Sequence, residues 1–223
     1  MLEVNKYYVM NLPHREDRRK LSINELSKAG ITNYEFVESI YWKDYSEEEL
    51  ERLTHLEYRH VTKDLRARYG LVACGATHVK TIKQFIETFG TDGTKVAVLL
   101  EDDFEIVDHS ALQEQINTAI NQSPNWDFIY LGGLRNPKND KREEYLPNLD
   151  IAVSVWNAHA YVIRNTQDIA DRMENLYHRG FFADRATRKL IRDDKERKHR
   201  YLITYPYIVV QKRNFSDINN CIR

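Results

Sequence analysis

The sequence predicts one α/β domain with a mostly parallel central sheet flanked by helices. Three observations carry this expectation. Apolar β-forming runs alternate with helix-patterned segments through the first 132 residues, the order that parallel sheets require. The run Val96–Leu100 (VAVLL) is apolar at every position, as in a strand buried on both faces, and it leads directly into Glu101, Asp102 and Asp103. Finally, 223 residues with no Pro/Gly/Ser-rich linker suffice for a single sizeable core.

Element by element, Tyr7–Leu12 (YYVMNL) reads as a strand, and Pro13 with the charged run behind it opens a helix to about Gly30. Asn33–Ile40 reads as a second strand. Ser46 and Glu49 form a capping-box pattern for a helix to about His60. Apolar or small residues at 72, 75, 76, 79, 82, 86 and 89 mark a helical stripe from Leu71 to Phe89, ended by Gly90. Gly93 and Thr94 turn the chain into the acid-tipped strand. Asp108 is placed to cap a helix to about Gln122, and Trp126–Leu131 reads as a buried strand stopped by Gly132 and Gly133. A polar loop is expected from Arg135 to Asn148, followed by strands at Ile151–Val155 and Ala158–Ile163. Helices at about 166–178 and 183–198 come next, then a last strand, Leu202–Gln211, and an irregular tail.

Lys plus Arg (33) nearly balance Asp plus Glu (34), so overall charge gives no support for a nucleic-acid partner. Two cysteines, Cys74 and Cys221, lack any CxxC or metal-ligand spacing, which fits a reducing compartment. The first residues are charged rather than apolar, and no run approaches ~18 apolar residues. A cytoplasmic protein without a transmembrane segment is expected, with peripheral membrane contact left open and a monomer or weak dimer as the default state. The P-loop and GxGxxG patterns are absent, so any nucleotide phosphates must be held by a metal and basic side chains.

The acid triplet is the most informative feature. Open α/β sheets bind ligands at the carboxyl ends of their strands. At an effective dielectric of ~20, two like charges ~5 Å apart repel by roughly 3 kcal/mol, so three carboxylates at such an edge call for a cation, and hard oxygen ligands favour Mg²⁺ or Mn²⁺. Simple helix capping or solvation is the plainer reading. Arg15, Arg18, Arg19 and Lys20 gather at a helix start, which suits a diphosphate; a solvated helix face explains them too. Asn11 and Leu12 sit at the tip of the first strand, where Asn11 can meet a nucleobase or ribose or merely shape the turn. His78 flanks an apolar stripe near Cys74 and Phe85, as a ligand or as a satisfied core histidine. Asp184, between Phe181–Phe182 and the basic segment Arg185–Arg200, can serve as a general base or as a helix cap. That basic segment suits an anionic surface or acceptor, or is a solvated helix face. Ser216 and Asp217 mark a place where the tail can fold back over a site, or a simple turn.

Together these residues resemble glycosyltransferase family 25, the group of lipopolysaccharide galactosyltransferases and related collagen-type galactosyltransferases. The matching pieces are YVMNLPHREDRR at 8–19, CGATH at 74–78, VLLEDDF at 98–104, WDFIYLG at 126–132, AYVI at 160–163, YPYIVVQ at 205–211 and FSDI at 215–218, in the family's order. The family usually has Gly-Cys-(Ala/Phe)-Leu-Ser-His where this chain has Ala73, Cys74, Gly75, Ala76, Thr77 and His78.

The resemblance implies a GT-A fold, with about 1–132 as the nucleotide-sugar-binding half and about 133–223 as the acceptor-side half and tail of a single 1–223 domain. It implies a UDP-sugar donor, Mn²⁺ or Mg²⁺, and inverting transfer of a hexose, galactose from UDP-galactose, to a saccharide or lipid-linked acceptor. Asp103, with Asp217, would hold the metal. Glu101, Asp102, Asn11, Leu12, Arg15, Arg18 and His78 would lie at the donor, with Asp102 facing ribose or sugar, and Asp184 would be the base. Two rivals stand beside this reading: a metal-dependent hydrolase of nucleotide-sugars or phosphate esters, and a catalytically inactive nucleotide-sugar-binding module.

Overall fold

A computed structural model describes residues 1–54, 65–135, 143–152, 155–178 and 200–212, together with residues 186, 189, 190, 196, 215, 216, 221 and 222. Strand β1 (Val4–Asn11) leads through α1 (Glu16–Lys28) to β2 (Tyr34–Glu38). A 3-10 turn at Trp42–Asp44 and α2 (Glu47–Thr54) follow, then the long α3 (Leu65–Phe89) and β3 (Asp92–Glu101). The capping box forms as the sequence predicts: Ser46 Oγ accepts from Glu49 N–H at 3.3 Å and Glu49 Oε2 accepts from Ser46 N–H at 2.8 Å. Gly90 takes φ +77° behind α3 and its N–H donates to the Ile86 carbonyl, ending the helix where expected.

Beyond β3 come β4 (Phe104–Ile106), α4 (Leu112–Gln122), β5 (Phe128–Tyr130), β6 (Leu134–Arg135), β7 (Glu144–Leu146) and β8 (Leu149–Ile151). The chain continues through β9 (Val155–Trp156), β10 (Ala160–Thr166), α5 (Gln167–His178), β11 (Tyr201–Thr204) and β12 (Val209–Gln211). It ends in a small pair, β13 (Phe215–Ser216) with β14 (Cys221–Ile222).

The main sheet has the order β2-β1-β3-β10-β5-β11-β8-β7. Six of its strands run in one direction, with β10 and β8 against them. Its two faces follow the period-2 alternation of buried strands. Tyr7, Val9, Val98 and Leu100 pack with Leu26 of α1 and Ile116 of α4. Tyr8, Met10, Ala97 and Leu99 pack with Phe85 of α3 and Met173 of α5.

Several expectations are corrected. The single last strand predicted for Leu202–Gln211 is two strands: Pro206 cannot donate to a ladder, and the chain leaves the main sheet there, so β12 instead pairs with β4. Part of the polar loop expected after Arg135 is a hairpin of β7 and β8, turning at Asn148 with φ +62°. Asp108 is not the cap of α4, which starts after Ala111. Its Oδ1 instead accepts from the N–H groups of Ser110 and Ala111, tying the turn before the helix. The turn expected at Gly93–Thr94 lies inside β3, with Gly93 at φ +73°. Most of the helix predicted over 183–198 lies outside the described residues.

Candidate active site

The chain visits β1, β2 and β3 in that order, but β1 lies between the other two. The connections therefore leave in opposite directions. The helix after β1 covers one face and the helix before β3 covers the other, so a crevice opens beyond the carboxyl ends of β1 and β3. A cleft of about 740 Å³, counting the part open to solvent, lies there and keeps the acids at its floor reachable. Leu12 from the tip of β1, Ser39 and Ile40 after β2, and Glu101, Asp102 and Asp103 at the tip of β3 all line it.

Strand alternation sends neighbouring acids to opposite faces, and each finds a different partner. Asp102 turns toward α1. Its Oδ1 accepts from Arg18 Nη1 at 2.7 Å and its Oδ2 from Asn11 Nδ2 at 2.8 Å, with both members of the ion pair buried. Burial pushes this carboxyl up while Arg18 and Asn11 pull it back, and the net shift is upward. Glu101 turns toward α3, where Oε1 meets His78 Nε2 at 3.2 Å and Cys74 Sγ at 3.9 Å. The other ring nitrogen of His78, Nδ1, is 2.8 Å from the Tyr161 hydroxyl.

Asp103 lies in the turn between β3 and β4. Its Oδ2 accepts from Gln211 Nε2 at 3.1 Å, and its carbonyl accepts from the Lys212 N–H at 2.7 Å. Gln211 is itself oriented by Asn157, whose Nδ2 donates to Gln211 Oε1 at 2.9 Å. The remaining oxygen, Asp103 Oδ1, is buried and has no hydrogen-bond partner among the described residues. Burial first, then repulsion from Glu101 and Asp102, pushes this carboxyl up to about 7.

The expectation of three acids jointly demanding a cation is thus corrected. Arg18 answers Asp102 and His78 meets Glu101, so among these three acids Asp103 alone carries a buried oxygen left without a partner by the described residues. Asn11 reaches Asp102 and the Arg15 carbonyl, holding the site from behind. Arg15 forms an ion pair with Asp17 at 2.8 Å on the outer turn of α1, while Arg18, one turn deeper, lines the cleft. His78 is buried and also lines the cleft, as a polar link between α3, β3 and β10. Asp184 and Asp217 lie outside the described residues.

Sequence reasoning missed Gln211, Asn157 and Tyr161. Nothing local to YPYIVVQ signals that Gln211 pairs with Phe104 and so meets Asp103. It also missed the aromatic mouth, where Tyr41 and Trp42 line the cleft, Tyr41 is 4.4 Å from His14 and Trp42 is 6.1 Å from Tyr69 between ring centroids.

Comparison with known proteins shows the family and the fold. Procollagen galactosyltransferase 1-A of Xenopus laevis is 26% identical over 153 residues, 66% of this chain and 24% of the relative, so the chain spans about a quarter of that protein. A crystal structure of a glycosyltransferase involved in the glycosylation of the major capsid of PBCV-1 superposes with a TM-score of 0.51 at 12% identity, covering 96% of this chain and 95% of the other, a likeness of fold. Residues 4–181 match the model of glycosyltransferase family 25 (LPS biosynthesis protein). With its cleft at the switch point of the sheet and most of its length matched, this chain belongs to glycosyltransferase family 25.

Proposed function

We propose that the protein is an inverting, metal-dependent glycosyltransferase that moves a hexose, galactose from UDP-galactose, to a saccharide or lipid-linked glycan acceptor. Family membership supports the class of reaction, and the galactosyltransferase relative supports the sugar. The observation that carries the metal reading is Asp103 Oδ1, a buried acceptor at the floor of an open cleft with no partner among the described residues. Such an atom costs on the order of 1–3 kcal/mol unless something binds it. An oxygen donor of this kind fits a hard cation, Mn²⁺ or Mg²⁺, with Asp103 and Asp217 as the residues that would hold it. When bound, the cation neutralises charge building on the departing diphosphate.

The chain's own residues do the rest. Gln211 fixes one Asp103 oxygen so that the other faces the ligand. Arg18 and Asn11 hold Asp102 rigid beside it, and Arg18 and Arg15 add positive charge on the donor-phosphate side. Asp184 takes the proton from the acceptor hydroxyl as its oxygen bonds to the anomeric carbon, while the bond from that carbon to the diphosphate oxygen breaks on the opposite face. General-base help of this kind contributes ~10²- to 10⁴-fold. The half before about residue 132 grips the donor and the rest shapes the acceptor side.

The test is turnover of a panel of UDP-sugars with Mn²⁺, Mg²⁺ or chelator, with and without saccharide acceptors. Metal- and acceptor-dependent product is expected, together with a loss of at least roughly a hundredfold in Asp103→Ala that leaves the circular-dichroism spectrum unchanged. Turnover unaffected by chelation and by Asp103→Ala refutes the reading. Sugar release at the same rate without acceptor assigns the cleft to hydrolysis.

A further inference from the structure

Beside the oxygen site at Asp103, the cleft floor carries a second group of ligand atoms of different chemistry. Cys74 and His78 are four residues apart on α3 and project to the same side of the helix. The strand end at Glu101 meets them there. Cys74 Sγ, His78 Nε2 and a Glu101 carboxylate oxygen all lie within 4.8 Å of one another, with the Glu101 oxygen 3.2 Å from the imidazole and 3.9 Å from the sulfur.

We propose that Cys74, His78 and Glu101 form a binding site for a borderline-soft divalent cation, Zn²⁺ in its chemistry, with its fourth position open to the cleft.

Three features support this assignment. The first is spacing: Zn–N and Zn–O bonds of about 2.0–2.1 Å and a Zn–S bond of about 2.3 Å put tetrahedral ligand atoms about 3.3–3.6 Å apart, and the two separations from the Glu101 oxygen straddle that span. The third edge, from Cys74 Sγ to His78 Nε2, lies within 4.8 Å, so side-chain adjustment on one helix face closes the set into a tetrahedron. The second is support behind the ligand. His78 Nδ1 meets the Tyr161 hydroxyl at 2.8 Å, and a partner on this nitrogen orients the ring with Nε2 toward the other two ligand atoms. Tyr161 is itself fully buried in β10, so the ring has a rigid stop. The third is access: all three residues line the cleft, the arrangement of sites with three protein ligands and an exchangeable fourth.

Sulfur, imidazole nitrogen and a single carboxylate select against Mg²⁺ and Mn²⁺, which favour oxygen alone. The two sites therefore sort cations by hardness. Binding requires the Cys74 thiol to release its proton to solvent as the metal–sulfur bond forms, so affinity rises with pH. The assignment is independent of the donor, the acceptor and the reaction proposed above.

Co²⁺ titration of the full chain after chelator treatment tests it, since tetrahedral cobalt bound by a thiolate shows both a near-ultraviolet charge-transfer band and intense visible bands. One equivalent of Co²⁺ is expected to produce both, and Zn²⁺ to abolish them while excess Mg²⁺ does not. Cys74→Ser and Cys74→Ala should each lose the charge-transfer band with an unchanged circular-dichroism spectrum. His78→Gln should weaken binding at least tenfold, whereas Cys221→Ser and Asp103→Asn should keep the band. Absence of a thiolate band in the wild-type protein overturns the proposal, as does its survival in both Cys74 variants or its loss in Cys221→Ser. Loss of the band in Asp103→Asn merges the two sites and overturns it as well. Because the readout is a spectrum, it stands whether or not the chain transfers galactose.

Discussion

At the residue scale, the Arg18–Asp102 pair shows why a buried charge is safe only in company. Side-chain exposures of 9% and 7% mean that removing either partner strands the other in a poorly hydrated place. Arg18→Met is expected to cost about 3–5 kcal/mol in urea unfolding, and the double variant Arg18→Met with Asp102→Leu to recover most of that. Equal losses in single and double variants would show that the pair is held by packing alone. Asp103 gives a pH signature. Its carboxyl, pushed up to about 7, keeps its proton in the folded chain at a pH where the unfolded chain has lost it. Stability of the metal-free protein therefore falls as pH rises from the ordinary carboxylate range through about 7. Asp103→Asn removes that fall, so the variant should match the wild type near pH 4 and exceed it by on the order of 4 kcal/mol at pH 8. A constant difference across that range would mean that Asp103 titrates normally. The types of residue at the site were legible in the sequence as EDD and HREDRR. Which acid is neutralised was not, because that depends on which face of β3 each side chain leaves and on what α1 and α3 bring to that face.

At the element scale, the ribbon of β4 and β12 decides where Asp103 and Gln211 meet. Two features hold it. Glu25 of α1 is buried, and Oε2 accepts from the Ile106 N–H and lies 3.0 Å from His109 Nε2, with Lys212 Nζ 3.7 Å from Oε1. Burial raises this carboxyl, but the Ile106 N–H, Lys212 and His109 together hold it below its usual range. Its stabilising contribution is thus present above the ordinary glutamate range and is lost as pH falls through the depressed value. Glu25→Gln should cost about 1–3 kcal/mol near pH 7 and less at pH 3; an equal cost at both would overturn the charge argument. The second feature is Gly132, where an added Cβ would sit 1.8 Å from the Val209 carbonyl oxygen, a backbone atom with nowhere to go. Gly132→Ala should therefore destabilise by about 3 kcal/mol or more and displace β12, measurable as weaker nucleotide-sugar binding. In the sequence Gly132 reads simply as the stop of a strand. The closeness of β12 is a tertiary fact, and β4 itself, three residues long, left no periodicity to read.

At the scale of the whole molecule, local patterning determined the longer elements of the first half and their order. The buried runs, the Ser46–Glu49 capping box and the glycine stop at Gly90 each act over a few residues, and each appears where the sequence places it. Patterning also determined that acids crown β3 and that arginines open α1. Tertiary structure alone decided that β1 lies between β2 and β3, which opens the cleft at those acids. It decided that β10 enters antiparallel between β3 and β5, which brings Tyr161 behind His78. It decided too that the chain breaks at Pro206 and returns along β4, which carries Gln211 to Asp103. The physical reason is range: periodicity and capping are set by neighbours within a turn or two of chain, whereas strand order and partner choice are set by how two sheet faces are covered. The contacts that sort the three acids join residues as far as 108 positions apart, and no local pattern encodes a contact across that distance.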